Sequence, residues 1–176
     1  MREPEPEIVR RAREGDLGAF EELVRLYQGE VYRLALHLVR DRELAEDVAQ
    51  DAFIAAFRSL RSFRGRSKFS TWLFRITRNC SVDAIRKASR QRRLVEQVEV
   101  EPPAPDAALR AALREAIDGL PAELREAFVL IEVFGFSYRE ASDVLGVPGG
   151  TVKSRMHRAR RLLVDELGEA EGADEV

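Results

Sequence analysis

Four polar side chains near the C-terminus, Lys153, Ser154, His157 and Arg158, are spaced to share one face of a helix. Arg161 extends that face, and Arg155 and Arg160 flank it. Such a cluster can donate hydrogen bonds to guanine O6 and N7 and to phosphate oxygens, so its natural ligand is duplex DNA. The opposite face carries Val152, Met156, Ala159 and Leu163, at spacings of four, three and four, which predicts a buried stripe. A preceding element must aim this helix. Ser137 and Glu140 have the spacing of a capping box and predict a helix from Tyr138, with Ala141, Val144 and Leu145 inward. Gly146 suits a left-handed helix end, and Pro148 the first turn of the next helix. The run SYREASDVLGVPGGTVKSRMHRARRLL thus has the layout of a helix-turn-helix whose second helix enters the major groove. A solvated basic helix closing a bundle is the competing reading, but cap, turn and opposed faces agree with one another.

A second basic cluster lies upstream. A helix expected at about 69–90 places Phe69, Trp72, Leu73, Ile76, Cys80 and Ala84 on one stripe and Arg75, Arg78, Asn79 and Arg86 opposite. The loop before it adds Arg61, Arg64, Arg66 and Lys68. Aromatic rings beside a cationic groove are what single-stranded DNA needs, because unstacked bases recover stacking energy on a ring. A Ser- and Arg-rich loop could hold an extruded base by its Watson–Crick edge. Phe63 and Phe69 fit core positions; Trp72, at the border of the two faces, fits core or stacking platform equally. The helix expected at about 42–59, capped by Asp41, has a different character. Its exposed face gathers Glu43, Glu46, Asp47, Gln50 and Asp51, which cannot hold DNA and suits a protein partner presenting a basic helix.

The net charge of −2 conceals segregation. Residues 58–93 carry 12 basic and one acidic side chain, net +11, and residues 148–163 carry five basic and none acidic, net +5. Residues 1–57, 94–147 and 164–176 are net −5, −7 and −6. Such a chain can hold a polyanion at two separate places. A single Cys80 excludes an internal disulfide, and two distant histidines, His37 and His157, make no zinc site, so no metal or cofactor is expected. The first residues, MREPEPEIVRR, lack the apolar stretch of a signal peptide, and no apolar run approaches a membrane span; a cytoplasmic protein is expected.

Periodicity is helical throughout, predicting an all-α chain of two small domains on a flexible linker. The expected helices lie at about 5–13, 16–27, 29–39, 42–59, 69–90, 108–118, 122–134, 138–145 and 149–167. Residues 94–107, with three prolines and four acids, read as a linker of about 14 residues, reaching at most roughly 50 Å. The domains are then 1–93 and 108–167, and 168–176 should be disordered.

The segment DRELAEDVAQDAFIAAFRSLRSFRGRSKFSTWLFRITRNCSVDAIRK resembles the second conserved region of bacterial sigma factors, and LPAELREAFVLIEVFGFSYREASDVLGVPGGTVKSRMHRARRLL resembles the fourth. With only these two regions, the chain is similar to the extracytoplasmic-function (ECF) group of the sigma-70 family. Gly149 departs from the family, which more often has a bulkier residue there. The resemblance implies a factor that binds RNA polymerase core and directs promoter-specific initiation, with no catalysis of its own. It implies that Asp47, Gln50 and Asp51 contact a coiled coil on the largest polymerase subunit. Ser67, Lys68, Trp72, Arg75, Asn79 and Arg86 would contact the separated non-template strand of the minus-ten element. Lys153, Ser154, His157 and Arg158 would read the minus-thirty-five duplex, with Arg139 and Arg155 on phosphates. An anti-sigma protein is a further implied partner, and the acidic linker would suit a channel built for RNA.

Three other readings explain less. A stand-alone helix-turn-helix regulator leaves residues 58–93 and the acidic helix unexplained, and no dimer seam is visible. No familiar RNA-module signature is present. An enzyme would need a phosphate-cradling loop, a metal cluster or a nucleophile with its base, and none is legible.

Overall fold

In the computed structural model the described residues are 2–91 and 113–173, with side chains described up to 89 and from 113 to 166. The linker, including its acidic residues, lies outside them. The N-terminal unit comprises α1 (Pro6–Arg13), α2 (Leu17–Val39), α3 (Arg42–Ser59), a 3₁₀ turn (Leu60–Ser62) and α4 (Phe69–Gln91). The C-terminal unit comprises α5 (113–119), α6 (Ala122–Phe128) continued by a π turn (Val129–Val133), α7 (Tyr138–Leu145) and α8 (Gly149–Ala173). Helix α8 runs through 168–173, six residues that were expected to be disordered.

One continuous α2 replaces the two helices expected at 16–27 and 29–39. Leu23, Tyr27, Val31, Leu34 and Leu38 form a single buried stripe across Gly29. Burying each large side chain is worth about 1.5–3 kcal/mol, which outweighs the roughly 1 kcal/mol cost of an interior glycine. Asp16 and Asp41 cap α2 and α3 by accepting from the Ala19 and Leu44 amides, both at 3.0 Å. Helix α4 has a cap that its own neighbourhood could not supply, since Lys68 has no acceptor. The Glu3 carboxylate accepts from the Phe69 amide at 3.1 Å and from the Ser70 hydroxyl. The N-terminal segment that delivers Glu3 is tied down by the Tyr27 hydroxyl, which donates to the Arg2 carbonyl at 2.9 Å.

The C-terminal unit follows the sequence closely. Ser137 and Glu140 form the capping box, Gly146 ends α7 at φ +68°, and Val152, Met156, Ala159 and Leu163 are all buried. Arg125 is buried too, donating to the carbonyls of Asp118 and Leu120, both at 3.0 Å, and so closing the α5–α6 turn.

The two units share a core. Leu34, Leu38 and Phe74 pack among C-terminal residues that include Phe134 and Phe136, and α4 packs against α7. The Phe74 ring lies 5.0 Å from each of those rings, edge-on to Phe134. The π turn and the left-handed Gly135 (φ +71°) turn both phenylalanines toward α4. This contact uses a second buried face of α4, with Phe74, Thr77 and Ser81 at 0% exposure. Thr77 and Ser81 donate their hydroxyls to carbonyls four residues back, so they can be buried without an outside partner.

Candidate nucleic-acid interface

The loop between the 3₁₀ turn and α4, together with the first turns of α4, encloses a groove of about 460 Å³. Its walls include Phe63, Arg64, Arg66, Ser67, Thr71, Trp72 and Arg75. Trp72 is core and groove wall at once: only 8% exposed, it packs against Phe63 and Phe69 with ring centroids 5.1 and 5.4 Å away. The Thr71 hydroxyl is buried and without a hydrogen-bond partner in the wall. A groove with an aromatic wall and a cationic rim matches the needs of an unstacked base and its phosphate.

Of the six residues expected to meet the separated strand, Ser67, Lys68, Trp72 and Arg75 cluster at this end of α4. Asn79 and Arg86 are exposed further along the helix, roughly one and three turns on from Arg75. Lys68 is engaged by Glu140 of α7 at 2.7 Å. That Lys68 contact, with the Ser137 hydroxyl and amide, holds the Glu140 carboxyl down at about 2. Arg78, half-buried, meets Glu126 of α6 at 3.1 Å. Asp143 of α7 lines the groove itself. These three acids were missed as partners of the basic block, because nothing in the local sequence pairs α4 with α6 and α7.

The second cationic surface is open. Lys153, Ser154, His157 and Arg158 are exposed on α8, and Arg139 is exposed on α7. Arg155 differs: it is half-buried and held by Glu123 at 3.1 Å. Arg160 is paired with Glu132 at 2.6 Å. On α3, Asp47, Gln50 and Asp51 are exposed as expected. One turn on, Ile54 and Phe57 stay 48% and 43% exposed, so this face ends in an apolar patch. The Cys80 thiol is half-buried, and burial raises its pKa, which argues against a nucleophile. No helix among the described residues is long and apolar enough to cross a membrane.

Among the described residues the chain is all-helical, with a groove on one unit and an exposed cationic helix face on the other, the layout of a two-site DNA-binding factor. The family comparisons are specific about which. Residues 23–91 match the sigma-70 region 2 model and residues 110–163 the sigma-70 region 4 model. The chain is 36% identical to the RNA polymerase sigma-H factor of Pseudomonas aeruginosa, over 92% of each chain. It is 32% identical to the ECF RNA polymerase sigma factor SigW of Bacillus subtilis, over 90% of this chain and 94% of that one. It is 41% identical to ECF RNA polymerase sigma factor SigE of Mycolicibacterium smegmatis, covering 85% of this chain but only 62% of the longer relative. Among solved structures it is similar to the sigma factor RpoE in complex with the anti-sigma factor NepR from Bartonella quintana (TM-score 0.74, 32% identity, 85% of this chain and 96% of that one). It is also similar to CnrH in complex with the cytosolic domain of CnrY (TM-score 0.71, 29% identity, 92% and 96%). The chain belongs to the ECF RNA polymerase sigma factors, which direct promoter-specific transcription initiation.

Proposed function

We propose that this sigma factor divides its task among three surfaces. The α3 face with Asp47, Gln50 and Asp51, extended by Ile54 and Phe57, docks a coiled coil of the largest polymerase subunit. The groove beside Trp72 takes a base extruded from the non-template strand of the minus-ten element; Arg75, Asn79, Arg86 and, once released, Lys68 follow the backbone. Helix α8 reads the minus-thirty-five duplex through Lys153, Ser154, His157 and Arg158. Arg139 contacts phosphate, and Arg155 does so if it exchanges Glu123 for DNA. The domain roles follow the same boundaries, 1–93 and 108–167 about the linker 94–107. The chain has no catalytic role, works in the cytoplasm, and is held in check by an anti-sigma protein, as RpoE is found with NepR.

The observation that carries this reading is the groove walled by Trp72 and rimmed by Arg64, Arg66 and Arg75. Extruding a base costs a few kcal/mol, and stacking returns about 1–3 kcal/mol per base, so phosphate contacts decide whether opening is net favourable. Neither unit needs to bind tightly alone, because polymerase holds both on one DNA and raises their effective concentration. The test is start-specific transcription from genomic fragments by sigma-free core plus this chain, followed by scrambling each promoter element in turn. Arg75→Ala, at an exposed position, should reduce strand opening about tenfold while polymerase binding is kept. Loss of both together would refute the assignment of the groove.

A further inference from the structure

We propose that Glu3 is a positioning residue for the strand-binding groove: its carboxylate, delivered by the segment ahead of α1, fixes the start of α4 and with it the aromatic wall that meets an extruded base. The inference rests on the strand-binding role proposed for the groove, and names what sets its geometry. The groove is built at a helix start. Thr71, Trp72 and Arg75 lie in the first two turns of α4, and Phe63, Arg64, Arg66 and Ser67 belong to the loop that leads into it. The first amides of a helix have no partner within it, and an uncapped start frays. Lys68, just before α4, has no acceptor to offer. Fraying here would displace the Trp72 ring and the loop arginines together.

Several contacts converge on this tie. Glu3 Oε2 accepts from the Phe69 amide at 3.1 Å and the Ser70 amide at 3.5 Å, and Oε1 accepts from the Ser70 hydroxyl. Ser70 is buried, so water competes poorly for these bonds, and the negative charge sits at the positive end of the helix dipole. The Tyr27 hydroxyl holds the Arg2 carbonyl, while the Tyr27 ring lies 5.6 Å from the Phe69 ring. One buried tyrosine thus clamps both the segment and the residue it caps. Phe69 in turn lies 5.4 Å from the Trp72 ring and 5.7 Å from the Phe63 ring, so a shift at Phe69 reaches both aromatic walls of the groove. Tyr27 and Phe69 belong to the N-terminal core and not to the seam where the docked units meet at Phe74, Phe134 and Phe136, so the tie does not depend on how the units pack. The competing role for Glu3 is electrostatic. Glu140 chiefly, and Glu3 more weakly, raise the pKa of Lys68, so an acid here could simply repel the strand.

The test uses the full chain with Glu3→Ala and with Glu3→Gln, which keeps an acceptor for the Phe69 amide and loses the charge. Arg75→Ala is the control for the groove itself. Two quantities are read: affinity for polymerase core, and the rate at which holoenzyme opens a promoter recovered in the transcription assay, followed by permanganate reactivity of unpaired thymines. Glu3→Ala should slow opening about tenfold, the scale of one lost helix cap, with core affinity and the opening rate of Glu3→Gln both within about twofold of the parent. Tyr27→Phe, which frees the segment and keeps the carboxylate, should slow opening by itself and add nothing to Glu3→Ala. Parental opening in Glu3→Ala would overturn the inference. So would an equal loss of core binding, which marks a purely structural role, or a glutamine variant as altered as the alanine one, which marks a role of charge. A full further loss in the double variant with Tyr27→Phe would break the tie between the two residues and overturn it too. Normal opening by Arg75→Ala would instead overturn the strand-binding reading beneath it.

Discussion

The two cationic surfaces are built alike and are in different states. On α8, Lys153, His157 and Arg158 point to solvent. On α4 and its loop, Lys68 and Arg78 are paired with Glu140 and Glu126, and Asp143 lines the groove beside Arg75. The surface assigned to the duplex is free of acids from other elements at these three residues, whereas the one assigned to the melted strand is partly paired, with Arg75, Asn79 and Arg86 still exposed. The difference follows from what lies behind each face. Helix α8 buries one stripe, against its own unit, and its other side is free. Helix α4 buries two, and the second, headed by Phe74, brings the C-terminal acids within reach.

The largest effect is expected at Phe74. Phe74→Ala should remove about 3–5 kcal/mol of coupled stability, by analogy with other buried phenylalanines. Chemical denaturation would then show the two units unfolding at separate midpoints; one unchanged cooperative transition would place the seam elsewhere. Trp72→Ala, by contrast, cannot isolate strand opening, because its ring belongs to the core as well as the groove. Arg158→Ala probes the open surface. It should weaken promoter use by about 1–3 kcal/mol, with no further loss once the upstream element is scrambled. An equal loss on the scrambled template would show that Arg158 does not read that element.

A smaller, pH-dependent effect sharpens the comparison from the seam. His37 is half-buried on α2, and burial lowers its pKa below the ordinary 6.5; Arg114, Arg125 and Arg33 act in the same direction, and Asp118 opposes them. The docked form therefore takes up a proton less readily than the separated form. Acidification below about 6.5 should favour separation, and raising the pH above neutral should change nothing. Glu140 acts in a lower window. Its carboxyl is held at about 2 by Lys68 and Ser137, so its contribution is complete above its ordinary 4.5 and lost only as pH falls from there. With Cys80→Ser and dyes at Gln28→Cys and Asp165→Cys, both exposed positions, energy transfer between the units should thus fall as the pH drops below about 6.5 in the parent chain and stay level in His37→Gln. Identical titrations would remove His37 from the seam.

Local chemistry explains which features were legible in the sequence. The α7 capping box, the Gly146 end and the α8 stripe are all written within a few residues, and all three are present. The acidic face of α3 and the basic loop before α4 were legible for the same reason. The split expected in α2 failed because Gly29 reads as punctuation, while the buried stripe that overrides it spans the whole helix. The second face of α4 was hidden because Thr77, Arg78 and Ser81 are polar, and Arg78 falls on the basic face. Two are buried with internally satisfied hydroxyls, and the third is neutralised by a distant acid. The cap supplied to α4 by Glu3 comes from 66 residues away, beyond any local signal.

The most direct test of the account is the distance between the two units, read by the same dye pair in the free chain and in promoter-bound holoenzyme. The account predicts strong transfer in the free chain and almost none on the promoter, where the units must stand many tens of ångströms apart to reach both elements. Equal transfer in the two states would contradict it.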